Sequence, residues 1–145
     1  MQFGAAMNNF ANSTSKTLLL ADDDLGDQEL VRVALAKNQC DVDLRIVGDG
    51  CEALEYLHRE GDYAKDGAPK PELILLDLNM PRMNGFELTS AIRGKELIRD
   101  LPVILVTARG TDEDKKKGIQ VGANAYLVKS NFDQSNLLES IDQLI

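Results

Sequence analysis

Five short apolar runs punctuate the chain, and each is followed by a stretch with helical periodicity. The runs are Thr17–Ala21 (TLLLA), Val42–Val47 (VDLRIV), Leu73–Leu76 (LILL), Val103–Val106 (VILV) and Ala125–Val128 (AYLV). Apolar runs this short, bounded by Gly, Pro or Asp, suit buried strands better than helices. Three of them are apolar on both faces, as strands of a parallel sheet covered on both sides must be. After Asp27, Leu30, Val31, Ala34 and Leu35 fall on one helical face. Leu137, Leu138, Ile141, Leu144 and Ile145 do the same at the end of the chain. Asp49–Glu52 and Thr111–Asp114 are capping-box-like helix starts, the second with Asp for the usual Glu, and Asn84 stands ready to cap a helix beginning near Gly85. The order is β-α five times, which predicts a parallel sheet with right-handed crossovers. The longest connector, Gly61–Glu72 (GDYAKDGAPKPE), reads as an exposed loop. Gly85 and Gly122 read as backbone requirements at turns or helix ends.

At 145 residues, 43% hydrophobic and 28% charged, the chain has the length and composition of one soluble globular domain. Three Tyr, four Phe and no Trp make the expected core aliphatic. Residues 1–16 (MQFGAAMNNFANSTSK), rich in Asn, Ser and Ala, read as a flexible N-terminal extension, and 17–145 as the domain. A net charge of −8 and a pI near 4.6 argue against a nucleic-acid-binding surface, which needs a basic stripe. No apolar run approaches the ~20 residues of a membrane span. Cys40 and Cys51 have neither metal-site nor disulfide-framework spacing and read as free thiols. A cytoplasmic protein without membrane contact is expected.

Polar residues stand at the carboxyl ends of four of the five predicted strands. The first runs into Asp22-Asp23-Asp24, the third ends at Asp77, the fourth at Thr107 and the fifth at Lys129. Ligands of open α/β sheets bind outside those ends. On that architecture three carboxylates, a hydroxyl and an ammonium converge in one crevice. Clustered carboxylates need a cation, and all-oxygen ligands favour a hard ion such as Mg²⁺. An Asp beside that ion can act as a nucleophile toward a phosphoryl group, with Lys129 pairing the new phosphate and Thr107 hydrogen-bonding to it.

Taken together, LLLADDD, LILLDLNMPRMNGFEL, VILVTA and GANAYLVK closely resemble the receiver domains of two-component response regulators, the CheY-like family. The resemblance covers about residues 17–145. It implies a doubly wound, flavodoxin-like sheet of five parallel strands in the order 2-1-3-4-5 with five helices. By it, Asp77 is the phospho-acceptor. Asp23 and Asp77 ligate Mg²⁺ through side chains, Asn79 through its backbone carbonyl, and Asp22 through a bridging water. Asp24 matches a common third acidic position without a ligand role. Thr107 and Tyr126 match the switch hydroxyl and switch aromatic, and Lys129 the family's lysine. The implied donor is a phosphohistidine on a sensor histidine kinase or a phosphotransfer protein. Signalling is then expected to pass to a downstream protein through the fourth-helix, fifth-strand and fifth-helix face. The domain is expected to be a switch, with self-directed phosphotransfer and autodephosphorylation, and either a monomer or a phosphorylation-dependent homodimer. Asn79 and Arg109 are expected to tune the phosphate lifetime.

The front half, DDDLGDQELVRVAL and YAKDGAPKPELILLDLNMPR, is most similar to single-domain regulators associated with phytochrome-type kinases. The ending, KSNFDQSNLLESIDQLI, looks more like receivers of chemotaxis-type hybrid kinases, which leaves a receiver excised from a larger kinase or regulator as an alternative. Most of the family has Pro after the lysine. Ser130 stands there in this chain, and since a non-proline cis bond costs ~2.5–4 kcal/mol, a trans Lys129–Ser130 bond is expected. A Mg²⁺-dependent phosphatase of the haloacid-dehalogenase type would need a carboxylate two residues after Asp77, where the sequence has the amide Asn79. A flavodoxin-like cofactor binder would need a Gly/Ser/Thr phosphate loop where the sequence has DDDLGD.

Overall fold

The computed structural model describes residues 16–37, 42–59, 69–108, 110–129 and 134–144. Residues 1–15 of the N-terminal extension, 61–68 of the long connector, Cys40, Arg109, Ser130 and Ile145 lie outside them.

Strands and helices alternate along the chain. The first half runs β1 (Lys16–Ala21), α1 (Leu25–Lys37), β2 (Val42–Val47), α2 (Gly50–His58) and β3 (Leu73–Asp77). The second half runs α3 (Gly85–Arg93), β4 (Val103–Thr107), α4 (Asp112–Gln120), β5 (Ala125–Val128) and α5 (Gln134–Leu144). All strand pairs are parallel, in the order β2-β1-β3-β4-β5. Lys16, which composition assigns to the extension, is instead the first residue of β1, paired with Val42. Hydrogen bonding also carries β3 and β4 one residue past their apolar runs, so Asp77 and Thr107 end strands from within. Lys129 directly follows β5.

The three central strands are buried almost end to end, whereas β2 and β5 are half-buried edges. Period-two alternation sorts their side chains into two cores. Leu19, Ala21, Ile74, Leu76, Val103 and Leu105 meet α2 and α3 on one face. Leu18, Leu20, Leu73, Leu75, Ile104 and Val106 meet α1 and α5 on the other. On α1, Val31, Ala34 and Leu35 are buried as the periodicity predicts, but Leu30 is 42% exposed. At 3.6 residues per turn, Leu30 stands about 90° from the centre of that stripe, on its flank. On α5, Leu137 and Ile141 are buried.

The helix starts follow side-chain chemistry. Asn84 and Glu87 form a complete capping box on α3. Asp49 accepts from the Glu52 N–H (2.8 Å), but the Glu52 carboxylate bonds the Gly48 N–H (2.7 Å) rather than closing the box on Asp49. Thr111 accepts from the Asp114 N–H on α4 (3.1 Å). Ahead of α1, Asp24 Oδ1 accepts from the N–H groups of Gly26 (2.7 Å) and Asp27 (3.1 Å), satisfying donors that helix starts leave over. Arg82, with a left-handed φ of 67°, reaches from the β3–α3 loop to Asp49 at 2.6 Å.

Far from those carboxyl ends, Arg93 closes α3 against the segments that enter β4 and β5. Its guanidinium donates to the carbonyls of Arg99, Leu101 and Gly122 and to Asn124 Oδ1, at 2.7–3.0 Å. Asn124 Oδ1 also accepts from the Val103 N–H. Gly122 needs its glycine twice over, with φ at +101° and Arg93 side-chain atoms 3.0 Å from where a Cβ would sit.

Gly85 sets the approach of α3 to the end of β3. A Cβ there would lie 2.8 Å from the Asp77 carbonyl oxygen and 2.9 Å from Leu78 Cα. Both neighbours are backbone and cannot yield cheaply. Gly85→Ala is expected to destabilise the fold by about 1–3 kcal/mol, the scale of overpacking. Gly94→Ala, whose added Cβ meets nothing closer than 3.5 Å, is expected to be near neutral. Urea denaturation of both variants checks the pair.

Candidate functional site

Alternation decides which polar groups meet at the carboxyl edge of the sheet. Asp22 follows Leu18 and Leu20, Asp77 follows Leu73 and Leu75, and Lys129 follows Ala125 and Leu127, so all three emerge on the α1/α5 side. Carboxylate oxygens of Asp22, Asp23 and Asp77 lie within 4.8 Å of one another, the first and last buried and Asp23 exposed. Lys129 Nζ reaches across to Asp77 Oδ1 (3.3 Å) and Asp22 Oδ2 (3.8 Å), and makes a short contact with Asp27 Oδ2. Asn79 and Ala108 complete an open cleft of about 510 Å³ above these groups. Beneath them Leu20, Val31 and Val106 form an apolar floor.

Thr107 and Tyr126 belong to the other side. Thr107 follows Val103 and Leu105, is fully buried, and ends the strand beside Asp77, which pairs with Val106. Tyr126 is half-buried against the α2/α3 core, and a Cβ on Gly118 of α4 would touch its ring at 3.0 Å. The anticipated convergence therefore holds for the three carboxylates and the ammonium, while the hydroxyl and the aromatic ring line the opposite face of the same edge. Asp24 lines the cleft, with one carboxylate oxygen engaged in two helix-capping bonds. In the lysine run of α4, Lys117 sits over the Phe86 ring, 4.9 Å from its centroid.

One participant escaped the sequence reading. Asp27 lies in the first turn of α1, which the Asp24 cap and the Gln28 bond to the Asp22 carbonyl hold at the end of β1. A sequence signal existed, since a helix opening directly after a strand-end acidic cluster aims its first-turn side chains back at that cluster.

The donor set fits a hard divalent cation. Ligands on an octahedral ion of the Mg²⁺ type stand about 3 Å apart in cis and about 4 Å in trans, and the carboxylate spacing admits both. His and Cys are missing from this cluster. Comparison with known proteins agrees with the geometry, for the response regulator receiver domain family matches residues 18–142. The chain belongs to that family.

This receiver is 34% identical over 115 residues to the response regulator Rcp1 of a Synechocystis species, spanning 79% of this chain and 77% of Rcp1. The structure of the Mn²⁺-bound form of Rcp1 superimposes with a TM-score of 0.75 at 31% identity, covering 86% of this chain and 88% of that one. The phosphorylated cyanobacterial phytochrome response regulator RcpA gives a TM-score of 0.76 at 31% identity over 90% of this chain and 91% of its own. The sensor histidine kinase CheAY of Helicobacter pylori is 34% identical over 119 residues, 81% of this receiver but 14% of the kinase. The receiver spans about half the length of the transcriptional regulators it also matches. Both resemblances seen in the sequence, to phytochrome-associated regulators and to chemotaxis-type kinases, are thus present. As a receiver it is a signalling domain that takes phosphoryl groups from histidine kinases, and among the described residues no helix is long and apolar enough to cross a membrane.

Charge in the cleft is out of balance. Burial pushes the Asp22 carboxyl up to about 7; the Asp24 N–H and Lys129 oppose the rise, and the charges of Asp77 and Asp27 add to it. Asp77 is also raised by burial, against the pull of Lys129 and of the Asn79 N–H. Burial alone would lower the Lys129 ammonium, but its bond to Asp27 and the charges of Asp77 and Asp22 hold it above its ordinary value. Without a divalent ion, folded Asp22 therefore keeps its proton where the unfolded chain, near 3.8, has lost it. The stability this contributes is complete below pH 3.8 and lost as pH rises to about 7. In chelator, Asp22→Asn is expected to melt several degrees above the wild type at pH 8, with the gap closing toward pH 4. Millimolar Mg²⁺ should narrow the pH 8 gap, and thermal melts across that range check the sign.

Proposed function

We propose that this receiver accepts a phosphoryl group on Asp77 from a phosphohistidine of a sensor histidine kinase or phosphotransfer protein. The observation carrying the assignment is the buried Asp77 carboxylate, set among the Asp22 and Asp23 oxygens with Lys129 Nζ at 3.3 Å. An Asp77 oxygen attacks phosphorus, the P–N bond breaks, and the imidazole leaves with the bonding pair. Reversal to carboxylate and inorganic phosphate follows when a water oxygen attacks the same phosphorus and the P–O bond breaks. Asp23, Asp77 and the Asn79 carbonyl would hold Mg²⁺, with Asp22 acting through water, and the ion would supply charge to offset the carboxylates and the incoming phosphoryl oxygens. Lys129, already beside Asp77 Oδ1, pairs with the phosphoryl group.

The added charge, about −1.5 to −2, biases two states of the edge. Thr107 turns toward the phosphoryl oxygens, Tyr126 follows into the space left, and the α4/β5/α5 face changes for a downstream protein. The contiguity of Thr107, Leu105, Gly118 and Tyr126 on one face supports that route. A monomer or a phosphorylation-dependent homodimer through the same face is consistent with this reading.

Incubation with acetyl phosphate and Mg²⁺ is expected to give an acid-labile label of one phosphoryl group per chain, lost with chelator and abolished in Asp77→Asn. Undiminished labelling of Asp77→Asn would remove Asp77 from the role. Lys129→Ala is expected to lower the extent of labelling at least tenfold, measured on the same gels.

A further inference from the structure

The phosphoryl transfer described above leaves Asp27, a charged residue of the cleft, without a part. Asp27 does not belong to the Asp22–Asp23–Asp77 cluster, and its Oδ2 is committed to Lys129 Nζ. Its position is not adaptable. Asp24 holds the Asp27 N–H in the helix cap, and Gln28 Nε2 donates to the Asp22 carbonyl at 2.8 Å, pinning the first turn of α1 to the end of β1. Both partners are largely withdrawn from solvent, with side chains 26% and 20% exposed, so salt screens their attraction only in part.

We propose that Asp27 is a positioning residue that competes with the phosphoryl group for Lys129 and so sets how firmly the phosphorylated state is held. The inference rests on the reading of Asp77 as acceptor. One ammonium has three N–H donors and must divide them among the carboxylates it faces. Lys129 now divides them between Asp27 and Asp77, with Asp22 beyond at 3.8 Å. A phosphoryl group on Asp77 adds acceptor oxygens with a larger charge, so Lys129 turns from Asp27 toward it. Asp27 then opposes the phosphorylated state in two ways. It competes for the ammonium, and once released it is a carboxylate facing a dianion. Removing its charge while keeping its shape relieves both.

The test uses beryllium fluoride, a phosphoryl mimic, titrated calorimetrically into the full chain with saturating Mg²⁺. Asp27→Asn is expected to bind about fivefold more tightly than the wild type, the scale of one partly exposed ion pair. That advantage should shrink as salt is raised, and Asp27→Glu, which keeps the charge, should return close to wild-type affinity. Equal or weaker binding by Asp27→Asn, or an advantage independent of salt, overturns the role of Asp27. Wild-type protein that fails to bind the mimic at all instead overturns Asp77 as acceptor, so the two failures are distinguishable.

Discussion

Asp22, Asp23 and Asp77 hold carboxylate oxygens within 4.8 Å of one another above a floor of aliphatic side chains, and like charges so close need countercharge. Lys129 supplies one positive charge, and the oxygen-only ligand set is suited to a divalent ion for the remainder. Much of the surrounding structure serves to keep this costly arrangement in register. The central strands are buried to their last residues, so Asp77 cannot retreat along β3. Gly85 lets the start of α3 abut the Asp77 carbonyl, and the Asp24 cap fixes α1 on the opposite flank.

Within that frame the sheet acts as a partition. Asp22, Asp77 and Lys129 lie on the α1/α5 side, while the buried hydroxyl of Thr107 and the half-buried ring of Tyr126 lie on the α2/α3/α4 side. Chemistry and its proposed readout are therefore adjacent yet separate, joined through one strand end. Because Asp77 and Thr107 terminate neighbouring strands, a charge added to the first is felt by the second across a single ladder spacing.

The strands were legible because dry parallel strands must be apolar on both faces, and the polar strand-end groups stand out against such runs. Asn84 and Asp49 were legible because caps are local chemistry. Features that depend on contacts between distant segments were not. The pairing of Lys129 with Asp27 spans 102 residues, and only the acidic strand end ahead of α1 hints at it. Leu30 looked like a core residue because apolar character does not reveal how wide a helix stripe will be. Lys16 looked like tail because its pairing with Val42, rather than its own side chain, makes it strand. Glu52 bonds the Gly48 N–H, a partner that loop geometry, invisible in the letters, brings to it.

Arg93 gives the fold a mechanical direction. By tying the last turn of α3 to the carbonyls that precede β4 and β5, one guanidinium clamps the base of those strands, while their tips carry Thr107 and the residue before Lys129. A body fixed at one end and loaded at the other bends like a cantilever. Displacement grows toward the free tip, and the anchored root confines it to the edge where the load is applied.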